Sequence, residues 1–383
     1  MSKAGVYLHI PFCRSRCSYC DFATDVFRSA EIVESYVAAL VKEIENFQFS
    51  KSAIRNPQSA IPIDTIYFGG GTPSLLSAGQ LEKILKIVRQ KFSVAADSEI
   101  TMEMNPATVS LETLKAYKSL GVNRASFGAQ TFDDAELKRL GRRHSASDVR
   151  ETIELLRAAN FSNVSFDLIA GLPRQTLPDW EGNLNEALKL QPEHLSLYLL
   201  EIHEATPLAE QIRSGREPLP NETLAAAMYE LMLEKVSVEN YRQYEISNFS
   251  KPNYQSRHNS KYWTLDAVFG FGCSAHSFDG ATARYANERD TARYVSLIEN
   301  EDSAIVFREE INAAAEFVFL GLRLTRGIDL GEYEKRFGID LIEKHAEDLR
   351  RLESLNLIEF ADNHLKLTKK GFLFSNEVFE VFV

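Results

Sequence analysis

"YLHIPFCRSRCSYCDF", residues 7–22, places three of the chain's four cysteines, Cys13, Cys17 and Cys20, within eight positions. A disulfide, a zinc site and an iron–sulfur cluster are the chemistries that such a grouping can serve. Four cysteines in 383 residues is far below the density of a disulfide scaffold, and the three are too close together to staple a chain of this length. A closed structural zinc site needs a fourth ligand. His9 is the only candidate nearby, but it lies in an alternating apolar segment, which is poor geometry for closing a tetrahedron. A four-iron cluster normally takes four cysteines, one per iron, so three leave one iron open to a small molecule. The spacing favours the cluster and leaves zinc as the alternative.

Composition bounds the rest. Residues 1–5 lack the apolar core of a secretory signal, and no run approaches the roughly 18 apolar residues of a membrane-spanning helix. The expectation is a cytoplasmic chain with reduced thiols. With 44% apolar and 25% charged residues the composition is that of an ordinary globular protein. A net charge of −11 and a pI near 5.4 argue against a nucleic-acid partner, while leaving room for a local basic pocket.

Short apolar runs alternate with helical periodicity. "VYLHI", "DTIYFGG", "EITMEMN", "RASFGAQ", "VSFDLIAGLP" and "HLSLYLLEI" read as six strands, several of them apolar on both faces as in a buried parallel sheet. Ile32, Val33, Tyr36, Val37, Leu40, Val41 and Ile44 form the clearest helical face between them. Six β-then-α units imply an α/β fold, a partial (β/α)6 TIM-like barrel, over residues 1–205. In such barrels chemistry gathers at the C-terminal ends of strands. Cys13, Gly69 to Thr72, Asn105, Gln130 and Gly171 all fall there. Residues 50–62 read as a polar, mobile loop insertion. Residues 206–300 read as a connecting segment, with a helix near 222–239 and a strand-like "YRQYEIS". Residues 301–383 read as a smaller α+β, winged-helix-like domain whose "DN" turns a hairpin. From residue 307 onward it carries 11 Lys+Arg against 15 Asp+Glu, which favours a structural or docking role over DNA binding.

CxxxCxxC resembles the signature of the radical S-adenosylmethionine (SAM) superfamily, in which the open iron chelates SAM. The wider wording "YLHIPFCRSRCSYCDF" is similar to its coproporphyrinogen dehydrogenase-like branch, which includes heme chaperones, and the likeness runs over essentially the whole chain. The resemblance implies a barrel of the radical SAM type. It assigns Cys13, Cys17 and Cys20 to a [4Fe-4S] cluster. Gly70, Gly71 and Thr72 of "FGGGTP" match the family's SAM-binding loop. Glu103, Gln130, Arg142 and Asp167 match its polar SAM contacts, and Tyr7 and Tyr19 its aromatic ones. Read alone, the three glycines are a tight strand-to-helix turn, and each polar residue is a locally satisfied one.

"SRHNSKYW" matches the HNxxYW motif associated with heme binding in this branch. His258 is the expected axial ligand, with Tyr262 and Trp263 covering the macrocycle and Arg257 and Lys261 meeting its propionates. An isolated histidine in a polar loop is otherwise a solvent-facing one. Cys273 reads as a buried, inert thiol, and it and His276 are secondary candidates for heme contact.

Two functions share this machinery. One is a heme chaperone that binds heme and transfers it to an acceptor protein, for which a respiratory, membrane-bound protein is the expectation. The other is an oxygen-independent dehydrogenase that converts coproporphyrinogen III propionates to vinyls. That branch carries a further cysteine two residues past the third and an N-terminal extension, whereas here Asp21 and Phe22 follow Cys20 and Tyr7 stands near the start. These departures, with "HNSKYW", point to the chaperone, with coproporphyrinogen oxidase activity not expected. SAM cleavage as against simple binding, and a homodimer as against a monomer, are left open by the sequence.

Overall fold

Alternation along each strand decides how the sheet is used. The computed structural model describes residues 3–27, 29–48 and 60–383. Six parallel strands lie side by side in chain order: β1 (Ala4–Ile10), β2 (Pro62–Gly70), β3 (Ser93–Met104), β4 (Arg124–Gln130), β5 (Val164–Ala170) and β6 (His194–Leu199). They are the six expected from sequence, the third starting earlier and the last two ending sooner. Helices α1 (Ala30–Asn46), α2 (Ala78–Lys91), α3 (Leu111–Ser119), α4 (Ala146–Ala158) and α5 (Leu177–Lys189) follow the successive strands. Ser, Thr or Asn side chains cap most helix starts, and Ser77, Ser145 and Thr176 form full capping boxes.

The expectation of strands apolar on both faces is corrected. Val6, Leu8, Ile66, Phe68, Met102, Phe127, Phe166, Leu168, Leu195 and Leu197 are buried in the main core cluster with the helices' apolar residues. The intervening positions are polar or aromatic and share the other face: Tyr7 beside Tyr67 beside Thr101 beside Arg124, then Glu103 beside Ser126 beside Ser165 beside His194, then Gly128 beside Asp167 beside Ser196. Because side chains alternate strictly on a strand, one set faces the helices and the other lines the barrel lumen.

The segment 206–300 contributes to the same sheet. After α6 (Glu222–Val238), β7 (Asn248–Ser250) pairs antiparallel with β6. In "YRQYEIS" only Arg242–Gln243 is strand. Following α7 (Arg257–Trp263), β8 (Val268–Phe271) pairs parallel with β1, and β9 (His276–Phe278), β10 (Ala283–Asn287) and β11 (Ile305–Glu310) extend that edge antiparallel. The C-terminal part has its own core and a three-stranded sheet, β12 (Ile328–Asp329), β13 (Ile358–Ala361) and β14 (His364–Leu367). Asp362 and Asn363 turn its hairpin with φ of 52° and 62°, the left-handed pair that such a two-residue turn demands. Most of the 50–62 insertion lies outside the described residues. No described helix is long and apolar enough to cross a membrane.

"RHNSKYW", expected as a loop, is the helix α7, and it closes the end of the barrel where the strands begin. Ser256 caps it, and the Glu99 carboxylate accepts the backbone N–H groups of Arg257 and His258, both at 3.1 Å. Lys261 Nζ bonds to Asp64 at 2.7 Å and to the Lys3 carbonyl at 2.6 Å. On its other side, the Trp263 ring lies under Arg323 of the C-terminal part at 4.3 Å. Glu99 is itself buried and its two bonds are charge-assisted, so Glu99→Ala is expected to cost about 2 kcal/mol or more in a urea titration. A loss below about 0.5 kcal/mol would show that α7 is held by its other contacts.

Candidate functional site

The cysteines sit on a loop built onto the end of β1. Phe12–Cys13 pairs with Asp25–Val26, and Phe27 N–H donates to the Cys13 carbonyl at 2.8 Å. The glycine loop after β2 is stitched to the same root: Gly71 N–H donates to Ile10 O and Thr72 N–H to Phe12 O, each at 2.8 Å. A Cβ on Gly71 would lie 2.6 Å from the Pro11 carbonyl oxygen, so only glycine allows this approach.

A hydrogen-bonded arc joins two of the thiols. Thr72 Oγ1 donates to Cys13 Sγ at 3.5 Å and accepts from Asn105 Nδ2 at 2.7 Å. Arg142 Nη2 donates to Asn105 Oδ1 at 2.8 Å and to the Gly128 carbonyl at 2.6 Å, while its Nη1 donates to Cys17 Sγ at 3.7 Å. Burial pushes the Cys13 thiol up to about 11 and raises that of Cys20, with the neighbouring sulfurs adding to the effect. Without a bound cation the thiolates are therefore disfavoured, and the donors at sulfur suit ligands that become anionic when metal arrives.

His9 cannot complete a zinc tetrahedron. Its Nε2 lies 2.8 Å from the Ala23 carbonyl, which only accepts, so Nε2 carries the proton and Nδ1 accepts from the Tyr7 hydroxyl at 3.0 Å. Burial holds the ring well below its ordinary value, near 4, so it is neutral with both nitrogens engaged. Among the described residues no three His, Cys, Asp or Glu side chains converge as a single metal ion requires. Three thiols with no fourth ligand fit a cluster bearing one open iron.

Beneath the loop, the lumen holds two carboxylates. Glu103 accepts from Tyr67 Oη at 2.6 Å and from Gly70 N at 3.1 Å. Burial, reinforced by Asp167, pushes its carboxyl up to about 7 despite those bonds. Asp167 is pushed to about 6 by burial, partly offset by Ser196, Arg124 and Arg142. Gln130 stands at the strand end with φ of 65°, its amide folded over Gly128. Tyr19 packs beside Leu140, Ile169 and Leu172 under the loop. Tyr7 stacks near Tyr67, and Tyr198 and Tyr262 open onto the same space.

Two lumen groups escaped the sequence reading. Arg124 is 1% exposed, yet its Nε and Nη1 have no hydrogen-bond partner among the described residues, and neither has Thr101 Oγ1 directly across the strands. Such groups call for ordered water or a ligand atom. The signal was present, since both sit at the same alternating parity as Glu103 and Tyr67.

The heme motif is placed differently from expectation. His258 is 1% exposed, with Nδ1 against Thr65 Oγ1 at 2.9 Å and Nε2 against Tyr262 Oη at 3.2 Å. Burial lowers it to about 3. Arg257 and Lys261 are both paired with Asp64, and Trp263 faces the C-terminal part. Cys273 is fully buried, its thiol pushed to about 11, beneath the Tyr36 hydroxyl. His276 is exposed on β9.

Comparisons with known proteins agree with this architecture. The radical SAM superfamily model matches residues 7–187 and the HemN C-terminal domain model residues 309–374. Coproporphyrinogen III oxidase (HemN) from Escherichia coli superposes with a TM-score of 0.84 over 99% of this chain and 90% of its own, at 23% identity, a likeness of fold. Heme chaperone HemW of Escherichia coli (strain K12) is 33% identical, covering 99% of this chain and 98% of its own. With heme chaperone HemW of Bacillus subtilis (strain 168) also 38% identical over 99% of both sequences, the chain belongs to the HemW family of radical SAM proteins.

Proposed function

We propose that this protein binds heme and passes it to an acceptor protein, on a barrel that also carries a [4Fe-4S] cluster and SAM. The observation that supports the carrier reading is the end-to-end kinship with proteins named heme chaperones, joined to Asp21 and Phe22 where the dehydrogenase branch has its additional cysteine. The acceptor is an apo-protein, and a respiratory, membrane-bound one remains the expectation. Incubating the reconstituted protein anaerobically with heme and, separately, with coproporphyrinogen III tests the reading. Stable heme binding without conversion is expected, and SAM-dependent turnover to protoporphyrinogen IX would overturn it.

In this reading Cys13, Cys17 and Cys20 hold the cluster, and Thr72 and Arg142 donate to the thiolates. Gly70, Gly71 and Thr72 bring backbone close to the methionine end of SAM, with Arg142 and Gln130 beside it. Glu103 and Asp167 face a ligand of net positive charge, and Tyr7 and Tyr19 supply aromatic contact. When bound, cluster and SAM together supply one-electron reductive chemistry. The chain's part is to orient both and to hold carboxylates whose charge depends on pH near neutrality.

Reconstitution should give about four irons and four sulfides per chain. Each single change Cys13→Ala, Cys17→Ala or Cys20→Ala should abolish a stable cluster, whereas Cys273→Ala should retain it. Iron and sulfide analysis decides, and full retention in Cys17→Ala would remove the assignment.

A second expectation concerns pH. Carboxyls raised to about 7 and about 6 become ionised as pH climbs through those values, so attraction for the SAM cation grows in that direction. The change that SAM induces in the electron paramagnetic resonance signal of the reduced cluster should therefore need less SAM at about pH 8 than at about pH 6. Glu103→Gln should weaken the response and flatten its pH dependence. A wild-type response independent of pH would show that these carboxylates do not meet SAM.

A further inference from the structure

The chain displays apolar side chains around one charged edge of the cluster loop. Phe22 is 68% exposed, and Val26, Phe27 and Ile202 are exposed as well. Phe22 adjoins Asp21, whose carboxylate lies 4.0 Å from His203 Nδ1, and Ile202 adjoins His203. The Glu201 carboxylate lies 3.9 Å from His203 Nε2. Arg289 Nη2 donates to the Asp21 carbonyl at 2.6 Å, and its side chain remains largely exposed. Exposed apolar side chains beside Asp21 and His203, an accessible imidazole and an accessible guanidinium thus lie at the mouth of the barrel.

Access separates this imidazole from the others. His9, His144, His194 and His258 are buried with both ring nitrogens bonded. His364 Nδ1 is held by the Asp362 carbonyl, and His345 packs on Phe382. Of the two exposed rings, His276 lies in the field of Arg284, a cation that opposes binding of a metal ion there. His203 instead stands between the carboxylates of Asp21 and Glu201, 4.0 and 3.9 Å from its two ring nitrogens, whose negative charge favours a metal cation at the imidazole.

We propose that heme docks at the barrel mouth, with His203 as its axial ligand, Phe22 and Ile202 against the macrocycle and Arg289 at a propionate. The occupant follows from complementarity: a flat apolar ring wants exposed apolar side chains, ferric iron wants an imidazole, and the propionates want a guanidinium with donors to spare. The site rests on the heme-carrier reading but not on "HNSKYW". His258 could ligate iron only by giving up its bond to Thr65 or to Tyr262.

The test is a heme titration of the reconstituted full-length protein, followed by absorption and resonance Raman spectroscopy, with iron–sulfide content measured in parallel. His203→Ala is expected to change the axial-ligand signature and weaken binding by about tenfold or more, with added imidazole restoring the spectrum and the cluster intact. Phe22→Ser should weaken binding without changing the ligand signature. His276→Ala should match the wild type. Wild-type binding with an unchanged His203→Ala spectrum would overturn this site alone, and a His258→Ala variant that alone loses the ligand signature would assign the iron to the floor. Failure of the wild type to bind heme would overturn the carrier reading and this site together.

Discussion

The fold depends on six parallel strands keeping polar side chains on one face and apolar ones on the other. A closed barrel commonly fills its interior with branched aliphatics. Here the aliphatics are turned outward against the helices, and the interior is left to Tyr7, Tyr67, Glu103, Arg124, Asp167, His194 and Ser196. Such a lumen cannot hold itself shut by hydrophobic burial. It needs polar closure at both ends, and the two ends receive it by different means. At the floor, α7 brings backbone N–H groups to Glu99 and a lysine to Asp64. At the mouth, the cysteine loop is tied to the glycine loop through backbone bonds.

That constraint also sets the electrostatics. Burial raises both carboxyls, Glu103 further through the charge of Asp167, while Arg124 eases both and Arg142 eases Asp167. Arg142 does two things at once. It is near enough to Asp167 to favour its charge, and it donates toward Cys17 through one nitrogen while the other holds Asn105 and the Gly128 carbonyl. Because Asn105 reaches Thr72 and Thr72 reaches Cys13, side chains after three different strands position two thiols. Moving any one of these strand ends would disturb both sulfurs, which is why the sites gather where strands stop.

What was legible in the sequence was local. The strands announced themselves through short apolar runs, and the cysteine spacing and the Asp-Asn hairpin turn each lie within a few residues. The polarity of the inner face was written there too, in the alternation of "TIYF", "ITMEM" and "VSFDL", but apolar runs mask it because Tyr7 and Tyr67 read as core residues. The burial of His258 was not legible. "SRHNSKYW" is polar enough to pass for a solvated loop, and what buries it are Thr65 and Glu99, more than 150 residues earlier in the chain. His9 shows the same limit. Its poor position for zinc could be argued from spacing, yet the reason it is unavailable, a carbonyl at Ala23 and a phenol at Tyr7, is tertiary.

The two ends of the barrel are not independent. His258 stacks 5.0 Å from the Tyr67 ring and bonds Tyr262, and Tyr67 bonds Glu103, which in turn takes the N–H of Gly70 in the loop that meets the cysteines. The same helix carries Trp263, on which Arg323 of the C-terminal part rests, and Arg323 also reaches the buried Glu245. A continuous set of packed rings and hydrogen bonds therefore runs from the C-terminal part through the floor and lumen to the glycine loop. A chain of contacts is not itself coupling, which requires an element with two arrangements that both ends bias. α7 has the properties of such an element. It is seven residues long, too short to be stable as an isolated helix, and it is held by side chains from both parts rather than by a core of its own. A shift of the C-terminal part that displaced Arg323 from Trp263 would act on this helix, and through His258 and Tyr67 on Glu103, the carboxylate bonded to Gly70 of the glycine loop.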